Sequence, residues 1–140
     1  MLRDKTLRHY LDGGCNCAEA MALGARDEYG LDFPEESVRL VSGFGGGMGC
    51  GKACGALLGG LAALGYMKAD RRAHNTPGFS GLCAGFVRAF DQALGSCECA
   101  DLKPRFARED RRCAAVVERA AGLLESYLLE HAAGPAHGNG

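Results

Sequence analysis

The chain reads as an all-α protein, a compact bundle of about five to six helices with a glycine-rich loop ahead of a small-residue helix. Three observations predict this class. Ala and Leu abound while β-branched residues are scarce, apolar residues recur at helical spacing, and no segment alternates as a strand does.

The first helix spans about Leu2 to Leu11 and stops at Asp12-Gly13-Gly14, where paired glycines supply left-handed positions. A second opens at Asn16, which caps it while Glu19 reaches back, and ends at Gly30. A third begins around Asp32 to Glu35, with Pro34 in its first turn and Val38, Leu40 and Val41 available for burial. Residues 43–51, GFGGGMGCG, are too rich in glycine to stay helical, so the fourth helix resumes near Lys52 and runs to about Tyr66. Its small residues, among them Ala53, Gly55, Ala56, Gly59 and Gly60, suit close helix-to-helix approach or close approach of backbone to a cofactor. A fifth helix fits Ser80 to Leu94, with Cys83, Phe86, Val87, Phe90 and Leu94 on one stripe and Gly95 as its stop. Ser96 then caps a short turn through Leu102 before Pro104. The last helix runs from about Arg105 to Ala132, with Cys113, Val116, Val117, Ala120 and Leu124 facing the core and Arg108, Arg111, Arg112, Glu118 and Glu125 opposite. A single domain over residues 1–133 and a disordered tail over 134–140 complete the expected organisation.

With 16 basic against 17 acidic residues, no excess of one sign draws the chain to nucleic acid or an anionic membrane surface. Arg3, Asp4, Lys5 and Arg8 interrupt the apolar stretch a signal peptide needs, which makes the cytoplasm the expected location. The longest uncharged segments, Leu40–Gly51 and Ala53–Met67, fall short of the ~18 residues of a membrane span.

The abnormal counts are 22 glycines and 8 cysteines in 140 residues. In a reducing compartment such cysteines are metal ligands or redox thiols before they are disulfides. Cys17, Cys54 and Cys99 each fall at a helix start, where unpaired N–H groups and the helix dipole favour thiolate. The glycine run, with Gly45, Gly46, Gly47, Gly49 and Gly51, turns backbone N–H groups toward an anion such as phosphate or cluster sulfur, and Gly55 and Gly59 extend the cradle. Phosphate fits poorly: MGCGKACG lacks the P-loop spacing, and Gly43-x-Gly45-x-x-Met48 lacks the third glycine of a dinucleotide fingerprint, so no nucleotide is expected. No Cys-x-x-Cys-His occurs, so no c-type haem is expected either. Cys83, beside Phe86 and Phe90, reads as a small buried hydrophobe. His9, His74, His131 and His137 lie far in sequence from the cysteines, and Glu19 and Glu98 read as caps, which leaves little support for hydrolysis.

The ordered set NCAEA (16–20), GFGGGMG (43–49), CGALLG (54–59), GSCEC (95–99) and Cys113 closely resembles the C_GCAxxG_C_C family of redox-active proteins, over about residues 5 to 130. The resemblance implies a site formed by Cys17, Cys54, Cys99 and Cys113, with Gly55, Ala56 and Gly59 completing the signature. It also implies a redox partner protein and a link to a transporter, since members are often encoded beside transporter genes. A related domain occurs in a cytochrome containing haem and iron-sulfur groups. The chain departs from the family pattern by adding Cys15, Cys50, Cys83 and Cys97, of which Cys15, Cys50 and Cys97 lie two to four residues from a family cysteine and are candidates for additional ligands.

Three functions compete. An iron-sulfur cluster on Cys17, Cys54, Cys99 and Cys113 would serve electron transfer or redox sensing. Metal-free thiol-disulfide chemistry would use Cys17 or Cys54 as nucleophile with Cys15 or Cys50 resolving, although no Cys-x-x-Cys is present in a βαβ context. Structural zinc, or an interaction domain using the charged face of the last helix, is the third. The family cysteines are separated by gaps of 14 to 45 residues, which suits the interior of a bundle better than the short loops of zinc sites. Small-residue helix faces would permit a homodimer contact.

Overall fold

Helix α2 (Cys17–Tyr29) is the axis of the structure, buried along most of its length between α1 (Leu2–Leu11) and α3 (Gly55–Lys68). The computed structural model describes residues 1–132, and the expected disordered tail lies outside the described residues. Three further helices, α4 (Phe79–Leu94), α5 (Cys99–Phe106) and α6 (Ala114–Glu130), complete six, and two isolated backbone bridges are the β-type pairings among the described residues. No described helix is long and apolar enough to cross a membrane.

The start of α2 follows from local chemistry. Asn16 Oδ1 accepts the Glu19 N–H at 2.9 Å and the Glu19 carboxylate accepts the Asn16 N–H at 2.8 Å, a reciprocal cap. Gly30 ends the helix at φ 62 and Gly95 ends α4 at φ 87, left-handed positions where a Cβ would be strained. Leu82, Phe86, Phe90 and Leu94 of α4 meet Val116, Val117, Ala120 and Leu124 of α6 in the core, with Cys83 half-buried at its margin. The close approach expected of α3 occurs within the chain: a Cβ on Gly59 would lie 2.6 Å from the Ala18 carbonyl oxygen, and one on Gly60 would lie 2.9 Å from the Phe86 ring.

Four elements differ from the sequence reading. The third helix is 3-10 over Glu35–Phe44, which aligns Val38, Val41 and Phe44 every third residue against Ala18 and Ala22 and turns Leu40 outward, 84% exposed. Next, α3 begins at Gly55 and not at Lys52. Lys52–Cys54 instead pairs with Cys97–Cys99: the Cys54 N–H donates to the Cys97 carbonyl at 2.7 Å and the Cys99 N–H to the Lys52 carbonyl at 2.7 Å. In the same region Glu98, and not Ser96, occupies the cap position of α5, which continues through Pro104 to Phe106. The last difference is the largest, because the expected helix from Arg105 is interrupted. Arg108 and Arg112 exchange both backbone hydrogen bonds, at 2.8 and 2.7 Å, in a hairpin closed by Arg112 at φ 53, and α6 starts only after Cys113.

Candidate functional site

Interruption of the last helix moves Cys113 from a helix interior to a helix start. Cys17 is the first residue of α2, Cys54 precedes α3, Cys99 is the first residue of α5, and Cys113 precedes α6. These four thiols line one cavity of about 360 Å³. The pairing of residues 52–54 with 97–99 sets Cys54 beside Cys99, and the Tyr10 hydroxyl, also in the lining, accepts the Cys113 N–H at 3.0 Å.

Around these sulfurs the glycines divide by role. Gly46, Gly47, Met48 and Gly49 form four consecutive left-handed residues at φ 66, 64, 61 and 74, a path that glycine follows without strain and Met48 follows at a cost of roughly 1–2 kcal/mol. It delivers the Gly46 N–H to the Cys17 sulfur. Gly55 lies against the same sulfur, since a Cβ there would come 2.4 Å from Cys17 Sγ. Of the seven glycines expected to cradle a cofactor, Gly46 and Gly55 line the cavity. Gly47 packs beneath Cys99, Gly45 against Asn16, Gly51 against Ala100 and Gly59 against α2, while Gly49 would meet nothing within 4 Å.

At Cys17, Cys54 and Cys113 the helix start does not produce a low-pKa thiol. Burial pushes Cys54 up to about 11, although the N–H groups of Leu57 and Ala56 pull the other way. It also raises Cys17 against the N–H groups of Gly46 and Ala18. Cys113 rises through burial and then through its neighbours Cys99 and Cys17, with Lys103 and Arg112 acting in opposition. Loss of hydration outweighs the helix-end field. A cation or metal in the cavity would reverse that balance by stabilising thiolate.

Tyr10, Lys103, Arg108 and Arg112 belong to the lining and were not anticipated from sequence; no carboxylate joins them. The signal for the cations was the basic run preceding Cys113, in which a helical wheel assigns Arg108 and Arg112 to the face opposite Cys113 because it assumes an unbroken helix; Tyr10, on the first helix, carried no such signal. Arg112 lies over the Tyr10 ring, 4.1 Å from its centroid, and donates to the Tyr10 carbonyl.

Residues 15–127 match the family described as "Putative redox-active protein (C_GCAxxG_C_C)", a span that takes in all four cavity thiols. The chain belongs to the C_GCAxxG_C_C family. A protein of Archaeoglobus fulgidus described as "Uncharacterized protein" is 32% identical over 129 residues, covering 82% of this chain and 85% of that one. No solved structure matches the chain. Tyr10 stands before the start of the C_GCAxxG_C_C match, so α1 contributes to the cavity from outside the matched span.

The cysteines that this C_GCAxxG_C_C member adds lie off the cavity lining. Cys15 is half-buried, its thiol raised by burial and by Glu19 and Glu35. Cys50 is exposed on the glycine loop, 3.6 Å from the Gly47 carbonyl. Cys97 turns to α4, 3.8 Å from the Val87 carbonyl and 3.9 Å from Asp91, and is raised by burial and then by Asp91. Among the described residues no three His, Cys, Asp or Glu side chains are close enough together to hold one metal ion. A larger groove of about 430 Å³ beside α4, lined by Arg88, Gln92, Tyr127 and His131, contains no cysteine.

Proposed function

We propose that this redox-active family member holds an iron-sulfur cluster on Cys17, Cys54, Cys99 and Cys113 and serves electron transfer or redox sensing. The observation that carries the reading is the convergence of four helix starts, each with one cysteine, on a single cavity without carboxylates. A bound cluster supplies reversible one-electron transfer, and Cys₄ is its usual ligand set. The donor set fits such a group. The N–H groups directed at Cys17 and Cys54, and the side chains of Lys103, Arg108 and Arg112, would offset the negative charge of cluster and thiolates. The sulfurs stand around a cavity and not in a tight tetrad, which favours a polynuclear group over a single zinc ion. The raised pKa of Cys17 and Cys54 works against metal-free attack by either thiol.

Anaerobic purification followed by iron, acid-labile sulfide and zinc analysis tests the proposal. Brown protein that bleaches in air or chelator, and loses iron when any one of the four cysteines becomes Ser, is the expected result. Colourless, metal-free protein whose thiols titrate reversibly would overturn it in favour of thiol-disulfide chemistry, and stoichiometric zinc without sulfide would overturn it in favour of a structural site.

A further inference from the structure

The mouth of the thiol cavity carries a local charge opposite in sign to that of the chain. Residues 103–112 contain Lys103, Arg105, Arg108, Arg111 and Arg112 against Glu109 and Asp110, in a protein of formal charge −1. All five cations are exposed, and none is within 4.0 Å of a carboxylate among the described residues. Of the nearby acids on α5 and its cap, Asp101 is engaged by the Ser96 hydroxyl at 2.8 Å, and Glu98 is exposed with no ion pair to any of the five cations. The cations are borne on ordered backbone: Lys103 and Arg105 on helix α5, and Arg108, Arg111 and Arg112 on the hairpin bonded in both directions at Arg108 and Arg112.

Lys103, Arg108 and Arg112 line the cavity, so compensation of thiolate charge accounts for them. Arg105 and Arg111 do not line it: the Arg105 guanidinium lies over the Phe106 ring, 5.4 Å from its centroid, whereas the Arg111 side chain makes no hydrogen bond or ion pair among the described residues, and thiolate compensation leaves its charge unexplained. Exposed, unpaired cations contribute little to stability, but a like-signed group of them steers an oppositely charged surface to its centre. At physiological salt this field reaches about 8 Å, enough to act at the cavity mouth and too short to extend over the whole protein.

We propose that this cationic collar is the docking surface for an acidic redox protein, which it seats over the cavity mouth. The proposal rests on the cavity's holding the redox centre, but docking is measurable without that centre. Full-length protein, with and without iron, is titrated calorimetrically at low and high salt with four probes: an acidic plant-type ferredoxin, the basic carrier cytochrome c, a short DNA duplex and sodium sulfate. Ferredoxin binding that weakens about tenfold or more at high salt supports the surface. So does a similar loss in Lys103→Glu/Arg111→Glu with none in Arg88→Glu, which alters the separate groove beside α4. If the charge-reversed protein does not fold, Lys103→Gln/Arg111→Gln replaces it, with an expected loss of severalfold. Equal binding of cytochrome c, an unaffected double variant, or tight binding of sulfate or DNA in place of ferredoxin would each overturn the proposal. Ferredoxin binding by protein that never acquires iron would leave the surface standing and remove the cluster; iron-bearing protein that does not bind would do the reverse.

Discussion

The Tyr10 hydroxyl accepts the backbone N–H of Cys113 at 3.0 Å, joining the first helix to the start of the last across 103 residues of sequence. Tyr10 is 5% exposed, so its ring holds that oxygen where water has little access. Tyr10→Phe keeps the ring under Arg112 but leaves the N–H without its acceptor. We expect a loss of about 1–2 kcal/mol in urea unfolding, with the helical signal retained. Unchanged stability would mean that α1 does not hold Cys113 through this bond.

Gly55→Ala and Gly59→Ala separate the site from the scaffold. The first puts a methyl 2.4 Å from Cys17 Sγ and 2.8 Å from the Phe44 carbonyl oxygen; the second puts one 2.6 Å from the Ala18 carbonyl oxygen, between two helices. Both should destabilise by roughly 1–3 kcal/mol, as overpacking does. Only Gly55→Ala should also lower iron per folded chain, measured on material selected for native circular dichroism. Equal iron retention in the two variants would show that the Cys17 sulfur does not need that space.

Stability of the metal-free protein should fall at alkaline pH. The Cys54 thiol ordinarily titrates near 9.0 and is pushed up to about 11 by burial in the folded state. Between those values the folded state binds more protons than the unfolded one, so rising pH favours unfolding. The contribution is full below pH 9 and lost by about pH 11, up to roughly 3 kcal/mol. Urea titrations across that range should show the slope in wild type and a weaker one in Cys54→Ala; parallel curves would refute the assignment.

Replacing Cys15, Cys50 and Cys97 together by Ser should leave iron and sulfide per chain unchanged, because these side chains lie off the cavity that the other four line. A fall in iron would restore them as ligands of an enlarged or second cluster. Cys50, the exposed member, should be the first thiol alkylated by iodoacetamide in the native protein, read by peptide mass mapping.

Much of the framework was legible without coordinates. The Asn16–Glu19 cap, the stops at Gly30 and Gly95 and the apolar stripe of α4 depend on residues within a turn or two of each other, and there local propensity and tertiary packing agree. The four cysteines that line the cavity were singled out through the order and flanking residues of the family motif. The basic collar was not: an unbroken wheel through Arg105–Cys113 sends Arg108 and Arg112 away from the site, and the reversal at Arg112 that brings them back has no strong turn signal.

The sequence by itself determined the helical class and most of the helix ends, and its resemblance to the family singled out the four cysteines that line one cavity. Tertiary structure decided the position of Cys113 at a helix start, the pairing of Lys52–Cys54 with Cys97–Cys99, and the entry of Tyr10 and the collar into the cavity. It also decided the protonation of the thiols: a helix start can be read from neighbouring residues, whereas the burial that raises Cys17, Cys54 and Cys113 depends on distant segments closing over them.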